Sequence, residues 1–324
     1  MVAKEPCEHV FILEQPLGFL MQGAWHGDDA SQIGAQGWEP RQEHIGGRIG
    51  DMFPPEAGRY HLVVCPGCPL SHRVSIVHRL KRLENVVTTS LVRPIMGPNG
   101  REFGDAAGPA PDPVTGHHYL HQLYTATRPD YSGRDSTPVL WDRHSRQIVS
   151  NTYRDILAML NSAFDASTAS DFDVRPAAAM EAIDRELAGI GAGLSGAVYK
   201  CGFSRDQAEY EKQAGMLDRF IPALAARLAG GGFLLGPSIT EPDLAVFASL
   251  VRYDAIYLPL FRCTRQRIED HPALTAYIRR MLAVPGVAET FDLSLTMTHY
   301  YGSHVHINPT RIVPLAPRMG WHDA

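Results

Sequence analysis

The 324-residue chain lacks several features that would place it outside the ordinary globular proteins. It has no apolar run approaching the roughly 18 residues of a membrane-spanning helix, and its N-terminus lacks the basic, apolar and small-residue segments of a secretory signal. An excess of one charge is also missing, since 35 acidic residues and 30 basic residues give a net charge of −5. This leaves no polycationic surface for nucleic acid or an anionic membrane. Cysteine is scarce, and five mostly scattered residues favour a reducing cytoplasm over a disulfide framework. With a length sufficient for two cores, these absences predict a cytoplasmic protein of two domains.

The first 55 residues show little hydrophobic periodicity and are interpreted as an N-terminal extension that wraps over a core. Residues 56–165 are predicted to form a domain of alternating elements. The pattern indicates a strand at residues 59–64, a helix from residue 69 onwards and a strand at 86–92. These are followed by a pair of strands at 137–141 and 147–149 and a helix at 151–160. A β-α-β unit followed by a ββα unit is typical of the thioredoxin-like fold.

From about residue 177 the pattern changes to helices alone, and residues 172–324 are predicted to form an α-helical C-terminal domain with a C-terminal extension. Apolar residues at helical spacing mark stripes over residues 180–194 and 210–228. Thr240 and Asp243 have the spacing of a capping box, and a further helix begins at Pro272. The closing segment, residues 299–317, shows no period. The predicted fold class is therefore α/β plus all-α.

The residues around Cys68 predict a nucleophilic cysteine. Cys68 lies where the first strand of the domain passes into a helix, and Pro69 fits the first helical position without loss of a hydrogen bond. The unpaired amides and the dipole of that helix N-terminus favour the thiolate. His72 and Arg73 add basic character one turn further on. The alternative is a small buried side chain, which is the commoner fate of a cysteine.

A second cysteine and a proline belong to the same predicted site. Cys65 forms a CxxC pair with Cys68, but the residue that opens the helix is the second of the pair. Two interpretations of Cys65 therefore remain, a thiol that resolves a mixed disulfide and a side chain that simply packs in the core. A zinc site is disfavoured because no second CxxC exists. Thr137-Pro138 precedes a predicted strand, where thioredoxin-like proteins keep a cis peptide bond whose backbone pairs with a thiol.

Histidines occur in two groups, at positions 117, 118 and 121 and at positions 299, 304 and 306. Neither group comes with the acidic or cysteine partners that a closed tetrahedral site needs. Surface or hydrogen-bonded imidazoles are the simpler interpretation, so no metal is predicted.

Segments spread over almost the whole chain carry a resemblance to a known family. They include Cys68-Pro-Leu-Ser-His-Arg73, Tyr199-Lys-Cys-Gly-Phe203 and His299-Tyr-Tyr-Gly-Ser-His304, with others at residues 53–61, 129–134, 138–141, 250–254, 267–270, 284–290 and 308–314. In this order they resemble the glutathionyl-hydroquinone reductases, the Xi class of the glutathione transferase family.

The resemblance implies a thioredoxin-like N-terminal domain, an all-helical glutathione-transferase C-terminal domain, and a homodimer. It also implies that the Cys68 thiolate attacks the sulfur of a glutathionyl-hydroquinone, releases hydroquinone and leaves a mixed disulfide that a second thiol resolves. By the same resemblance Tyr199, Tyr300 and Tyr301 line the pocket for the aromatic ring, with His304 beside them. A hydroxyl or imidazole there would deliver a proton to the departing carbon. Without the family, these tyrosines would be interpreted as packing between helices.

The predicted thiol site departs from the family's pattern at three places. Leu70 and Ser71 stand where the family has Trp and Ala, and Arg101 stands where a loop tryptophan contacts glutathione. Thr152 and Tyr153 replace a Glu-Ser pair that holds the γ-glutamyl group. Loss of a carboxylate that pairs an ammonium removes a charge-assisted bond of about 1.5–3 kcal/mol.

These departures leave three hypotheses open. The first is a Xi-type reductase with weakened or relocated glutathione contacts, and the second is a site rebuilt for another small thiol such as the sugar-based mycothiol. The third is a non-catalytic homodimeric binding protein on the same fold. The expected ligands are a low-molecular-weight thiol and a small aromatic thioether or quinone, without nucleic acid, membrane or metal. The thiol-binding set is predicted to be Thr137, Pro138, Asn151, Thr152, Tyr153 and Arg101.

Overall fold

A computed structural model describes residues 18–27, 43–105 and 107–322. The chain divides into two compact units, one spanning Gln15–Phe172 and the other containing Asp173–Ala324. The division falls next to residue 172, the predicted start of the helical C-terminal domain. The first unit begins well before residue 56, the predicted start of the thioredoxin-like domain.

A four-stranded sheet lies at the centre of the first unit. In chain order this unit contains β1 (Phe19–Met21), β2 (Ala24–His26), β3 (Tyr60–Val64), α1 (Pro69–Leu80), β4 (Val87–Leu91), β5 (Gly104–Asp105), β6 (Gly108–Pro109), α2 (His121–Thr127), β7 (Val139–Asp142), β8 (Gln147–Ser150) and α3 (Tyr153–Ser162). Strand β3 pairs in parallel with β4 and antiparallel with β7, which pairs antiparallel with β8. Every residue of β3 is buried, as expected for a central strand covered on both faces. This order is the thioredoxin-like arrangement predicted from the sequence.

The β1–β2 hairpin is part of the first unit, although the sequence placed it in an extension. Phe19 and Leu20 are fully buried, and Leu20 exchanges two backbone hydrogen bonds of 2.8 Å with Gly133. Gly23 turns the hairpin at a φ of +79°, where its missing Cβ leaves room for the carbonyl of Pro129. Strands of three residues are too short to show alternation, which explains why the hairpin escaped prediction. Residues 1–17 and 28–42 of the predicted extension, with Cys7, lie outside the described residues.

The described part of the second unit is helical. It contains α4 (Met180–Ile190), α5 (Gly196–Phe203), α6 (Gln207–Leu228), α7 (Glu241–Arg252), α8 (Pro272–Leu282) and α9 (Leu293–Ser303), with shorter 3-10 turns at Ala177–Ala179, Ile268–Asp270 and Ala288–Thr290. A π-helical turn, Gly191–Ser195, joins α4 to α5, and a second, Tyr253–Tyr257, follows α7. None of the helices described is long and apolar enough to cross a membrane.

Two findings in this unit bear on the sequence predictions. The carboxylate of Asp243 accepts hydrogen bonds from the backbone amide and the hydroxyl of Thr240, at 2.9 and 3.0 Å, which confirms the predicted start of α7. By contrast, residues 299–303, assigned no period from the sequence, form the last turns of α9. Buried residues surround most of that helix, so it has no polar face from which a period could be detected.

Candidate active site

Cys68 caps the N-terminus of helix α1. Its backbone is extended, with φ −72° and ψ 122°, and Pro69 takes the first helical position. The Sγ atom accepts a hydrogen bond from the amide of Ser71 at 3.5 Å, one of the amides that a helix N-terminus leaves without an intrahelical partner. The side chain is partly exposed. The sulfur therefore combines a donor that favours negative charge with access from solvent.

The segment before β7 faces this sulfur. The Thr137-Pro138 peptide bond is cis, which confirms the expectation drawn from the sequence. The thiol of Cys68 donates to the carbonyl oxygen of Thr137, with 3.6 Å between Sγ and that oxygen. The hydroxyl of Thr137 is buried and has no hydrogen-bond partner within the described part of the chain. Cys68 is thus placed between the amide end of a helix and the backbone of a cis-proline segment.

Cys65 lies in the apolar core of the first unit. It is 2% exposed and belongs to a cluster that includes Val63 and Phe103. Its carbonyl accepts the amide of Cys68 at 3.1 Å, and its own amide donates to the hydroxyl of Ser71 at 3.2 Å. Ser71, one of the departures from the family's pattern, therefore ties the CxxC turn to the first turn of α1. The burial of Cys65 favours a packing role over the resolution of a mixed disulfide, and the resolving role stays a prediction.

Arg101 and Asp135 form an ion pair next to this site. Arg101 Nη1 donates to the carboxylate and to the backbone carbonyl of Asp135, both at 3.0 Å. Burial by itself lowers the pKa of the Arg101 guanidinium, but the negative charges that Asp135, Cys65 and Cys68 carry when ionised raise that pKa above its usual value. Arg101 therefore lies within electrostatic reach of both sulfurs.

Thr152 is the N-cap residue of helix α3. Its hydroxyl donates to Asp155 Oδ2 at 2.6 Å, and its amide donates to the hydroxyl of Ser150 at 3.2 Å. The same carboxylate oxygen of Asp155 lies 2.9 Å from Nε2 of His44. The position where the family has a glutamate thus has a hydroxyl that is held by a carboxylate three residues later.

The residues on either side of Thr152 are held by other parts of the first unit. The hydroxyl of Tyr153 accepts hydrogen bonds from Arg73 Nη1 at 3.3 Å and from Arg154 Nε at 3.2 Å, and the Arg73 guanidinium lies 5.3 Å from the Tyr153 ring centroid. The side-chain amide of Asn151 donates to the carbonyl of Glu43 at 2.9 Å. Tyr153 therefore connects α3 to α1, and Asn151 fastens the segment that precedes β3.

In the second unit, three tyrosines meet through their hydroxyl groups. The Tyr300 hydroxyl contacts that of Tyr199 and lies 3.3 Å from that of Tyr257. Burial raises the pKa of Tyr300 well above its usual range, and the neighbouring phenols of Tyr199 and Tyr257 raise it further. Tyr300 therefore stays protonated at neutral pH, and its hydroxyl belongs to a cluster of three phenols.

Tyr301 and His304, also predicted from the sequence, take different positions around this hydroxyl cluster. The Tyr301 hydroxyl donates to the carbonyl of Ala255 at 2.9 Å, so it is fastened to the π-helical turn after α7. The His304 ring stacks on Tyr300, with 5.4 Å between centroids, and its Nδ1 atom lies 2.9 Å from the Tyr300 carbonyl. The structure thus brings Tyr199, Tyr300 and His304 together but directs the Tyr301 hydroxyl elsewhere.

The histidine groups do not assemble into a metal centre within residues 18–27, 43–105 and 107–322, where no cluster of three metal-ligating side chains occurs. His121 stacks on Trp25 at 4.5 Å and on Tyr119 at 5.5 Å between centroids. His117 meets the edge of Trp141 at 6.3 Å. These imidazoles pack against aromatic rings.

Two of these residues, Tyr257 and Asp135, were not predicted from the sequence. Tyr257 lies three residues beyond the segment at 250–254 that carried the family resemblance, and Asp135 lies between the segments at 129–134 and 138–141. Each reaches its partner across a long stretch of chain, 43 residues for Tyr257 with Tyr300 and 34 for Arg101 with Asp135. No local pattern could have revealed either pairing.

Comparisons with known proteins match this chain to glutathione transferases over most of its length. The family model for the glutathione S-transferase C-terminal domain matches residues 207–280. The chain is 38% identical to the glutathionyl-hydroquinone reductase PcpF of Sphingobium chlorophenolicum over 303 residues, covering 93% of this chain and 96% of that protein. The glutathione-bound structure of YqjG, a glutathione transferase homolog from Escherichia coli K-12, is 34% identical with a TM-score of 0.83 and covers 94% of this chain and 97% of that one. A Xi-class transferase from Natrialba magadii is 31% identical, has a TM-score of 0.88 and covers 97% of each chain.

Proposed function

Because this chain belongs to the Xi class of glutathione transferases, with the glutathionyl-hydroquinone reductases, we propose that it is a thiol-dependent reductase of aromatic thioethers in which Cys68 is the nucleophile. The observation that carries the proposal is the placement of Cys68 Sγ between the Ser71 amide and the Thr137 carbonyl. A helix-capping sulfur that accepts an amide is favoured as a thiolate, and the thiolate is the form that attacks sulfur.

The proposed reaction has two steps. In the first, the Cys68 thiolate attacks the sulfur of a thiol-substituted hydroquinone, the carbon–sulfur bond breaks, and the aromatic carbon takes a proton to give hydroquinone. This leaves a mixed disulfide between Cys68 and the thiol. In the second, another molecule of the thiol attacks this disulfide, releasing the symmetric disulfide and Cys68. One thioether and one thiol therefore become hydroquinone and disulfide, and no external oxidant is needed.

The proton for the first step comes, in this proposal, from the hydroxyl cluster of Tyr199 and Tyr300. The contact between their hydroxyls supports the two phenols acting as a pair, and burial raises the pKa of Tyr300, so its hydroxyl carries its proton at neutral pH. Proton delivery of this kind usually contributes about 10²- to 10⁴-fold to a rate. We place the aromatic acceptor against Tyr199 and Tyr300, with His304 and the ring of Tyr301 as further contacts.

Glutathione is the first candidate for the thiol, because relatives of this chain are solved in complex with it. Thr137 and Pro138 would present backbone to its sulfur, and Arg101, Asn151, Thr152 and Tyr153 would surround its other groups. The second candidate is a sugar-based thiol such as mycothiol. The Thr152 and Tyr153 hydroxyls favour it, since they suit hydroxyl-rich ligands better than an ammonium.

A thiol panel tests this proposal. The purified protein is incubated with a thioether-hydroquinone and, in separate reactions, glutathione, mycothiol and cysteine, and hydroquinone release is followed by chromatography. We expect turnover with one of the first two and a Cys68 adduct of that thiol by intact-mass spectrometry. Cys68→Ser should abolish both. Turnover by Cys68→Ser would refute Cys68 as the nucleophile, whereas neither turnover nor an adduct with any thiol would favour the non-catalytic binding protein instead.

We further propose a homodimer in the cytoplasm, on the resemblance and on the free thiols of Cys65, Cys68, Cys201 and Cys263. Light scattering during size-exclusion chromatography gives the mass directly, and a mass near the 35.7 kDa of one chain would contradict the dimer.

A further inference from the structure

The ion pair between Arg101 and Asp135 lies on the segment that holds Cys68. Arg101 Nη1 bonds both the carboxylate and the carbonyl of Asp135 at 3.0 Å. Two residues later, the Thr137 carbonyl receives the Cys68 thiol. The Arg101 side chain is 14% exposed and that of Asp135 is 1% exposed, so water screens their charges weakly. The positive charge of the guanidinium therefore acts strongly on groups that lie next to residues 135–137.

Several features indicate that this ion pair does not serve stability alone. Burying an ion pair costs desolvation free energy, which is recovered only where the remaining hydrogen-bonding atoms are also satisfied. Here Arg101 Nε and Asp135 Oδ2 are buried without hydrogen-bond partners among the described residues. The arrangement is therefore poorly optimised for stability. Arg101 is related to the Cys68 thiol by a series of contacts, from its guanidinium to Asp135 and, two residues later, from the Thr137 carbonyl to the thiol. The charges that Cys65 and Cys68 carry when ionised accordingly raise the pKa of Arg101, in addition to Asp135.

We propose that Arg101 is the cation that stabilises the Cys68 thiolate, and that Asp135 is a positioning residue that holds Arg101 and moderates its charge. The helix N-terminus supplies partial charges and one amide hydrogen bond. Arg101, which lies between β4 and β5, supplies a full positive charge. Asp135 acts in two opposed ways, because its carboxylate fixes the guanidinium and its negative charge opposes the thiolate.

Other titratable groups surround Cys68 and enter the same balance. The pKa of Arg101 is also raised by Cys65, which follows β3, and by the phenol of Tyr124 on α2, and His121 on α2 is influenced by Asp135. Helices α1 and α3 contribute His72 and Arg73 on the first and Tyr153 on the second. All of these groups are unchanged in the variants below, so differences between variants report the ion pair.

The test measures how fast iodoacetamide alkylates Cys68 as a function of pH, with the modified residue identified by peptide mapping. Arg101→Gln should raise the pH midpoint of alkylation by about one unit, a roughly tenfold loss of thiolate below the midpoint. Arg101→Lys keeps a positive charge and should recover at least half of that shift. Asp135→Asn keeps an oxygen for Arg101 Nη1 and the backbone carbonyl bond, yet removes the opposing charge, so it should lower the midpoint.

Shifts of opposite sign for Arg101→Gln and Asp135→Asn are the signature of this arrangement, because a merely structural pair would move both variants the same way. An unchanged or lowered midpoint in Arg101→Gln overturns the proposal, and a raised midpoint in Asp135→Asn overturns the role of Asp135. Thermal unfolding of each variant identifies a loss of fold, and Arg101→Lys then decides. The proposal rests on Cys68 as the nucleophile, but alkylation does not depend on any thioether substrate, so it fails independently of the proposed function.

Discussion

Replacing Tyr300 by phenylalanine removes the central hydroxyl of the tyrosine cluster and leaves its ring in place. Two contacts disappear, those with Tyr199 and Tyr257. At a net value of about 1 kcal/mol for each hydrogen bond, the free energy of unfolding should fall by about 2 kcal/mol. For a unit of this size that is a drop in Tm of about 4–8 °C, which leaves the protein folded at 25 °C. Any larger loss of turnover therefore reports chemistry.

If the Tyr199–Tyr300 pair delivers the proton, kcat for hydroquinone release should fall by about 10²-fold or more in Tyr300→Phe. Tyr199→Phe should lose a similar factor, and the double variant no more than the larger single loss, because the two hydroxyls act as one unit. Tyr253→Phe is the matched control, since its buried hydroxyl donates to the Cys263 carbonyl at 3.4 Å outside the cluster. The assay combines chromatography of released hydroquinone at saturating thiol with circular-dichroism melts. A Tyr300→Phe enzyme within about threefold of the Tyr253→Phe control would refute the proton-donor role.

Three further outcomes are expected. Cys65→Ser should keep most of the turnover that Cys68→Ser loses in the hydroquinone-release assay, because Cys65 packs in the core, and an equal loss in both would indicate a dithiol mechanism. Asp243→Ala removes an acceptor of four hydrogen bonds and should lower the free energy of unfolding by about 4 kcal/mol in urea titrations, against about 1 kcal/mol for Thr240→Ala. Burial raises the pKa values of Tyr60 and Tyr124 to about 12, so stability should be complete below pH 10, the approximate pKa of an unfolded tyrosine, and should fall as pH rises from 10 towards 12. Urea titrations at several pH values would show this loss, and a flat profile up to pH 12 would contradict it.

The helices that the sequence predicted well have either a solvent-exposed face or a local start signal, such as the capping box of α7, a helix that is buried along its whole length. Helix α6 was recognised from the stripe over residues 210–228, and the structure has it at Gln207–Leu228, because its polar side leaves a period of 3.6 in the sequence. Helices α5 and α9 were not recognised, since buried residues surround most of both. Because these helices are packed on most sides, their sequences lack the alternation of apolar and polar faces from which a helix is predicted.

The site divides in the same way. Cys68 and Thr137-Pro138 could be predicted because proline at the first turn of a helix and proline before a strand are local signals with local causes. The ion pair of Arg101 with Asp135 could not, because it joins a loop to a segment 34 residues later and depends on how the chain closes around the sulfur. Thr152 was located correctly at the start of a helix, but its bond to Asp155 became visible only in three dimensions.

That bond bears on the choice of thiol. A glutamate at the start of α3 would meet an ammonium directly, whereas here Thr152 presents a hydroxyl and the nearest carboxylate, Asp155, is committed to that hydroxyl and to His44. Asp155 is still about half exposed, at 48% of its side chain, so negative charge remains near the helix start but is displaced from the original position. In the proposed site, these groups would meet parts of the thiol other than its reacting sulfur. Interactions remote from the reacting atoms that are made equally in ground state and transition state change KM and leave kcat unaltered. Discrimination between glutathione and a hydroxyl-rich thiol should therefore appear in KM, while kcat with either thiol is set by Cys68 and the tyrosine hydroxyls.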